Sequence, residues 1–144
     1  MDTRETEIAA ILDRHSGREG ALLPVLHDIQ AAFGHIDDAA KRQVAHALNL
    51  SRAEVHGVAS FYHDFRDAPA DKPVLRLCRA EACQSRGSEK LAAEAEGMAA
   101  GRVAIEPVYC LGLCSVGPNA MIGDEVHARL DAARVSELIA GMAA

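Results

Sequence analysis

The feature of this sequence that most restricts its possible folds is a set of four cysteines arranged as two close pairs. Four residues separate Cys78 from Cys83, three separate Cys110 from Cys114, and 26 lie between the pairs. The sequence shows no secretory signal, so we expect the chain to stay in the reducing cytoplasm. Thiols remain reduced there, and closely spaced cysteines then point to metal binding or redox chemistry rather than to structural disulfides.

Length and charge limit the classes of function. A chain of 144 residues is long enough for one compact domain, or for a small domain with an N-terminal helical extension. The formal net charge of −6 disfavours binding to nucleic acids and to anionic membranes, because both would repel it. No stretch approaches the roughly 20 apolar residues of a membrane span. We therefore expect a cytoplasmic protein with no nucleic-acid partner and no membrane insertion.

Residues 1–66 are predicted to form an N-terminal helical bundle. Apolar residues recur at helical spacing in four segments, which start and stop signals separate. Gly34 can end the second helix, Asp37 can cap the third, and a capping box at Ser51–Glu54 begins the fourth. The residues predicted to face inward are Ile8, Ile11 and Leu12, then Leu26, Ile29, Ala32 and Phe33, then Val44, Ala45 and Leu48, and finally Val55, Val58 and Ala59.

Residues 67–73 are predicted to be a linker, because they hold two prolines and alternating charge without an apolar pattern. Residues 74–144 are predicted to form a small α/β domain with a mixed sheet. The predicted order is a strand over 74–78, a helix over 88–100, a strand over 103–109, a hairpin of 120–122 and 125–129, and a final helix after Asp131. Both cysteine pairs follow predicted strand ends, with a loop supplying the second cysteine of each pair.

A [2Fe–2S] cluster is the metal group that this spacing fits best. Each of its irons is tetrahedral, with two bridging sulfides and two thiolates, so one cluster uses four cysteines. Gly112 and Gly117 would let backbone N–H groups approach the sulfurs. A structural zinc also takes four cysteines, but its knuckles mostly have a C-x2-C spacing that both pairs exceed. Zinc and four unrelated buried cysteines stay open as less favoured alternatives.

The cysteine motifs give the chain a resemblance to a known family. Residues 78–84 are Cys-Arg-Ala-Glu-Ala-Cys-Gln, residues 109–114 are Tyr-Cys-Leu-Gly-Leu-Cys, and both look like the thioredoxin-like [2Fe–2S] ferredoxin family. The segments 22–26, 54–62 and 106–109 also match it, so the resemblance covers nearly the whole chain. That family includes the small iron–sulfur subunit beside the flavoprotein of respiratory complex I, and counterparts in NAD-linked hydrogenases and formate dehydrogenases.

The resemblance implies a fold, a cofactor and its ligands. The fold would be an N-terminal helical bundle followed by a thioredoxin-like α/β domain. The cofactor would be one [2Fe–2S] cluster, with Cys78 and Cys83 on one iron and Cys110 and Cys114 on the other. The chain would transfer single electrons to or from a flavin on a partner subunit, and no catalytic residue is expected on the chain itself.

A narrower resemblance concerns the parent enzyme. His63–Arg66 and the Cys78–Gln84 segment look most like the gamma subunit of cytosolic molybdenum NAD-dependent formate dehydrogenases. This implies two partners: a flavin- and NAD-binding iron–sulfur subunit, and a molybdenum-containing catalytic subunit that oxidises formate. FMN, NAD and the molybdenum cofactor would then lie on those partners. The equivalent subunit of complex I or of an NAD-linked hydrogenase is the alternative, and a zinc-stabilised binding module is a distant one.

Two further features of the sequence concern the interval between the cysteine pairs and a possible DNA-binding motif. The interval between the cysteine pairs is shorter than is usual in the family, which indicates a trimmed helix from Ser88 or a trimmed turn near Gly97–Gly101. Residues 43–61 mimic a DNA-binding helix–turn–helix, yet the second helix offers only Arg52 as a strong phosphate or base partner. Residues 1–66 are themselves net negative, so packing within a bundle is the favoured interpretation of these helices.

Overall fold

The computed structural model describes residues 2–144 and separates the chain into two compact units. The first unit runs to Pro69 and the second begins at Ala70, so the division falls inside the segment predicted as a linker. The domain bounds 1–66 and 74–144 stay predictions. The α/β class, with helices first and a small mixed sheet after them, is confirmed. Among residues 2–144, no helix combines the length and apolar character that a membrane crossing requires.

Four helices form the first unit, and each coincides with one predicted segment. They are α1 (Thr3–Arg14), α2 (Leu22–Phe33), α3 (Asp38–Ala47) and α4 (Arg52–Phe61). The residues predicted to end or cap these helices do so in the structure. Gly34 ends α2 in the left-handed conformation, with φ 73°. Asp37 accepts a hydrogen bond from the Ala40 N–H at 2.9 Å and so caps α3.

The core of the first unit consists of the inward faces of these helices. Val25, Leu26 and Ile29 of α2 are fully buried. Ala32 was predicted on the same face but is exposed, because it lies at the edge of the apolar stripe. The buried cluster comprises Ile8, Ile11, Ala21, Val25, Leu26, Ile29, Ile36, Ala40, Val44, Ala45, Val55, Ala59 and Phe65.

One charged side chain is buried beside this core. Lys41 of α3 is 5% exposed, and its Nζ lies 2.8 Å from an Asp67 carboxylate oxygen and 3.5 Å from one of Asp38. Burial opposes the charged form, but the hydrogen bond and charge of Asp67 outweigh it, so the pKa of Lys41 is raised. Lys41 in turn lowers the pKa of Asp67. The pair therefore holds the first residue of the predicted linker against α3.

The second unit contains four strands, three helices and one 3-10 turn. Its elements in chain order are β1 (Val74–Cys78), α5 (Glu81–Gln84), α6 (Ser88–Ala99), β2 (Ala104–Val108), the 3-10 turn (Cys114–Val116), β3 (Ala120–Ile122), β4 (Glu125–His127) and α7 (Ala132–Met142). The strand order across the sheet is β2-β1-β3-β4. Strand β1 pairs in parallel with β2 and antiparallel with β3, and β3 pairs antiparallel with β4.

This order explains the side chains that the strands carry. The central strand β1 buries Leu75 and Leu77 completely, as expected of a strand covered by helices. Pro107 lies in β2, which is an edge strand, so its missing N–H costs no ladder bond. The buried cluster of this unit comprises Leu75, Leu77, Leu91, Ala92, Ala95, Ala99, Val103, Ala120, Leu130, Val135 and Ile139.

The structure departs from the predicted elements at three places. Strand β4 ends at His127 instead of residue 129, because Arg129 has a φ of 51°, which a strand does not accept. Strand β2 covers 104–108 instead of 103–109, and the chain turns at Cys110. Helix α5 was not predicted, because four residues are too short to show a helical period.

We expect the Ser51→Ala substitution to destabilise α4. The Ser51 hydroxyl accepts from the Glu54 N–H at 3.1 Å, and the Glu54 carboxylate accepts from the Ser51 N–H at 2.8 Å. Loss of such a cap costs about 1 kcal/mol, which makes amide exchange roughly fivefold faster. Hydrogen exchange of the α4 amides in the full chain would measure this. The Ser60→Ala variant changes an exposed serine of the same helix and should leave these rates unaltered; equal effects of both substitutions would contradict the capping role.

Candidate metal centre

The parallel pairing of β1 and β2 brings one cysteine of each pair to the same edge of the sheet. Cys78 is the last residue of β1, and its register partner is Val108, the last residue of β2. Cys110 follows Val108 by two residues. Parallel strands end at one edge, so the two chain segments leave the sheet side by side. The backbone N–H of Cys110 donates to Cys78 Sγ at 3.4 Å, which places the two segments in contact.

The second cysteine of each pair lies in a short turn of helix. Cys83 belongs to α5, and Cys114 begins the 3-10 turn. The expectation that loops supply these residues is wrong in this respect, because a single turn of helix follows β1 and another follows the loop after β2. Within α5, hydrogen bonds such as that from the Gln84 N–H to the Ala80 carbonyl, at 2.9 Å, fix the backbone around Cys83. Regular backbone therefore carries these two sulfurs.

The sulfur atoms meet as two pairs. The Sγ atoms of Cys110 and Cys114 lie 3.5 Å apart. Cys78 and Cys83 lie close enough for each thiol to shift the pKa of the other. Two thiolates bound at about 2.3 Å to one tetrahedral metal lie roughly 3.8 Å apart. The separation of the Cys110 and Cys114 sulfurs is therefore close to that of two ligands on one metal ion.

The grouping into pairs is the form that a binuclear cluster needs. Over the part of the chain that the structure describes, residues 2–144, no three His, Cys, Asp or Glu side chains are grouped to bind one metal ion. A [2Fe–2S] cluster asks for two cysteines on each iron, since its bridging sulfides supply the remaining ligands. The donor set and its arrangement as pairs fit such a cluster.

The two pairs differ in their access to solvent. Cys78 and Cys83 are buried, with exposures of 1% and 2%. Cys110 and Cys114 are exposed, and so is the neighbouring Tyr109 at 70%. The exposed pair is flanked by Leu111 and Leu113, which are half-buried. One side of the site is therefore enclosed by protein, and the other faces outward.

Hydrogen-bond donors of the backbone are aimed at the sulfurs. Burial raises the pKa of the Cys78 thiol, but the N–H groups of Ala80, Cys110 and Leu111 donate to its sulfur and outweigh burial, so the pKa is lowered. The Gly112 N–H donates to Cys110 Sγ at 3.4 Å, as the sequence predicted for this glycine. These donors stabilise negative charge on sulfur, which is what bound metal or a thiolate requires.

The remaining thiols are held in their protonated form by their neighbours. Burial raises the pKa of Cys83, and its interaction with the neighbouring Cys78 raises it further. The pKa of Cys114 is raised first by its hydrogen bond to Cys110 and then by the charge of that group. Both of these thiols would have to lose their protons in order to bind a metal ion.

The backbone at Cys110 is strained. Its φ is 74°, in the left-handed region that L-residues other than glycine rarely adopt. The strain of such a residue is of the order of 1–2 kcal/mol. Gly112, two residues later, has a φ of 78°, which costs a glycine nothing. This pair of left-handed residues turns the chain sharply and returns Cys114 toward Cys110.

Two residues after the second pair complete the site. A Cβ at Gly117 would lie 3.0 Å from Cys83 Sγ, so only glycine lets the backbone pass this close to the sulfur. Asn119 is 1% exposed, and its side-chain amide donates to Cys83 Sγ at 3.6 Å. The sequence prediction included Gly117 but missed Asn119. A lone polar residue before a short apolar strand was the only signal, and it is a weak one.

Comparison with known proteins identifies the family. The model of the thioredoxin-like [2Fe-2S] ferredoxin family matches residues 8–143. The chain belongs to this family. The match includes nearly all residues of both units, so the family model describes the helical unit as well as the α/β unit. The resemblance inferred from the cysteine motifs is thereby confirmed.

Individual relatives belong to several redox enzymes. The chain is 33% identical over 95% of its length to an NADH-quinone oxidoreductase subunit of Rhizobium meliloti, of which it covers 87%. It is 29% identical over 93% of its length to NADP-reducing hydrogenase subunit HndA of Solidesulfovibrio fructosivorans, covering 84%. A crystal structure of an NAD+-reducing [NiFe]-hydrogenase aligns with 85% of the chain at a TM-score of 0.71 and 26% identity. The chain spans only about a fifth of that hydrogenase chain, at 22%.

We expect Gly117→Ala to lower the amount of cluster that the protein retains. The added methyl group would meet Cys83 Sγ at 3.0 Å and the Cys83 Cα at 3.6 Å, so the sulfur must move. The iron and acid-labile sulfide content of anaerobically purified protein would fall relative to the unsubstituted chain. Gly97→Ala is the matched control, because a Cβ there meets nothing within 4 Å. Full iron and sulfide content in Gly117→Ala would show that the close approach has no role.

Proposed function

We propose that Cys78 and Cys83 ligate one iron of a [2Fe–2S] cluster and that Cys110 and Cys114 ligate the other. The observation that carries this proposal is the meeting of the two cysteine segments where β1 and β2 end, with the sulfurs of Cys110 and Cys114 3.5 Å apart. The family is one of [2Fe-2S] proteins, which favours iron–sulfur over the zinc alternative. Backbone donors around Cys78 and Cys110 support the same assignment, because they stabilise thiolate charge.

The proposed function is electron transfer within a larger oxidoreductase. When bound, a [2Fe–2S] cluster supplies one-electron redox chemistry. The residues of this chain hold the thiolates, orient N–H groups toward them and keep water from the buried pair. Hydride chemistry at NAD involves two electrons, and a flavin on a partner subunit would divide them into single steps. This chain is therefore an accessory electron-transfer subunit, and the substrate chemistry belongs to its partners.

The open side of the site is the proposed route for electrons. Cys110 and Cys114 are exposed, whereas the protein encloses Cys78 and Cys83. Electron transfer between proteins requires short distances, so a redox partner would approach the exposed pair. Tyr109 lies beside that pair with 70% of its surface exposed, and aromatic side chains are frequent at protein interfaces. The partner would carry flavin and an NAD-binding site.

The names of the relatives bear on the choice of parent complex. The similar proteins described above are named as subunits of NADH-quinone oxidoreductase and of NAD(P)-reducing hydrogenases. These names support the complex I or hydrogenase alternative better than the formate dehydrogenase interpretation. The latter rests on the likeness of His63–Arg66 and Cys78–Gln84 to the gamma subunit of that enzyme. It remains the finer proposal, with a molybdenum-containing catalytic subunit as the second partner.

We expect Cys110→Ser to remove most of the visible absorption of the anaerobically purified protein. A serine oxygen is a poor substitute for a thiolate on iron, and the exposed position leaves water free to enter. Absorption spectra with iron and sulfide assays would measure the loss. Ser115→Ala changes an exposed residue of the neighbouring 3-10 turn and should leave the spectrum intact. Stoichiometric zinc in a colourless unsubstituted protein would overturn the cluster proposal itself.

The parent complex can be identified by the electron donor that it accepts. If the formate dehydrogenase proposal holds, the complex purified through a tag on this chain will reduce NAD+ with formate and will contain molybdenum and flavin. Hydrogen-dependent NAD+ reduction, or NADH oxidation coupled to a quinone, would instead establish one of the alternatives. The Cys110→Ser complex serves as the control, because its change in rate shows whether this subunit lies on the main path of electrons.

A further inference from the structure

The strongest unexplained feature of the second unit is a buried asparagine. Asn119 is 1% exposed, and it lies directly before β3. Its Oδ1 is buried, and it has no hydrogen-bond partner among residues 2–144. An unsatisfied buried carbonyl is unfavourable, and an apolar residue of similar size would avoid that cost. The amide nitrogen of Asn119 must therefore contribute something that an apolar side chain cannot.

The neighbours of this nitrogen are both hydrogen-bond acceptors. Its two N–H bonds point to the Leu113 carbonyl oxygen at 2.8 Å and to Cys83 Sγ at 3.6 Å. Turning the amide over would face its oxygen toward a carbonyl and a sulfur, and the carbonyl could not donate to it. The observed orientation is the one that the surroundings favour. Asn119 thus acts as a double donor between the two cysteine segments.

The backbone of the same residue also contacts the site. The Asn119 carbonyl accepts a hydrogen bond from the Cys78 N–H at 2.8 Å. One residue therefore touches the last residue of β1, the sulfur of Cys83 in α5, and the segment between Cys110 and Cys114 through Leu113. These three segments carry all four cysteines. The side chain of Asn119 donates to a cysteine sulfur, whereas the sulfurs of Cys78 and Cys110 accept from backbone N–H groups.

We infer that Asn119 is a positioning residue that joins the two cysteine segments and tunes the cluster through its N–H···S hydrogen bond to Cys83. The inference rests on the proposed function, in which Cys83 is a cluster ligand. An N–H dipole directed at a ligand sulfur stabilises the state with more negative charge, which is the reduced state. Asn119 therefore raises the midpoint potential of the cluster. Its bond to Leu113 resists separation of the two segments.

The test compares Asn119→Val and Asn119→Ala with the unsubstituted chain, all purified anaerobically with cluster. Val is apolar and close to Asn in size. Ala only removes atoms, so it serves as the second variant in case Val disturbs the packing. Both variants lack the donor. We expect a lower midpoint potential in redox titrations followed by electron paramagnetic resonance. We also expect loss of visible absorption in the presence of a chelator to be roughly three- to tenfold faster, the range of one or two buried hydrogen bonds.

A matched control separates tuning from packing. Ser88 is also fully buried, and its Oγ has no partner among residues 2–144, so it resembles Asn119 in burial but donates to no cysteine sulfur. Ser88→Ala should keep the potential of the unsubstituted protein. An unchanged potential in both Asn119 variants would overturn the inference, even if their clusters were lost faster. A cluster-free unsubstituted protein would instead refute the proposed function, so the two failures are distinguishable.

Discussion

The site depends on the parallel ladder between β1 and β2. That pairing aligns Cys78 with Val108, so the chain segments that carry the two cysteine pairs leave the sheet at one edge. An antiparallel pairing would send them to opposite edges and separate the sulfurs by the length of a strand. Helix α6 is the crossover that parallel pairing demands, and its alanine-rich buried face lets it pack on the sheet. The topology of the sheet thus brings the two cysteine segments to one edge before any side chain is considered.

Around this edge, the surroundings of the two pairs are unequal. The Cys78 and Cys83 pair is enclosed, and it receives donors from the backbone and from Asn119. The Cys110 and Cys114 pair is open to solvent and lies beside an exposed tyrosine. Enclosure protects a metal group from water, while exposure permits contact with another protein. A subunit that relays electrons needs both properties, and the fold assigns them to opposite sides of one small site.

The sequence predicted the parts of this structure that repeat or follow local rules. The four helices of the first unit, the capping box at Ser51 and the strand that ends in Cys78 follow from periodicity and boundary residues. Helix α5 was not predicted, because a single turn is too short to show the helical repeat of apolar residues. The contact of Asn119 with Cys83 was not predicted, because the two residues are 36 positions apart and no local sequence pattern indicates such a contact. The ligand pairing came from family resemblance, since spacing alone permits zinc as well.

The left-handed backbone at Cys110 has a consequence for any attempt to stabilise this protein. Glycine is the residue that would relax a φ of 74°, and a selection for thermal stability would favour it at this position. That replacement would delete a sulfur of the outward-facing pair. If Cys110 is a metal ligand as proposed, stability and metal binding make opposite demands on this residue, and selection for a more stable fold would remove the ligand.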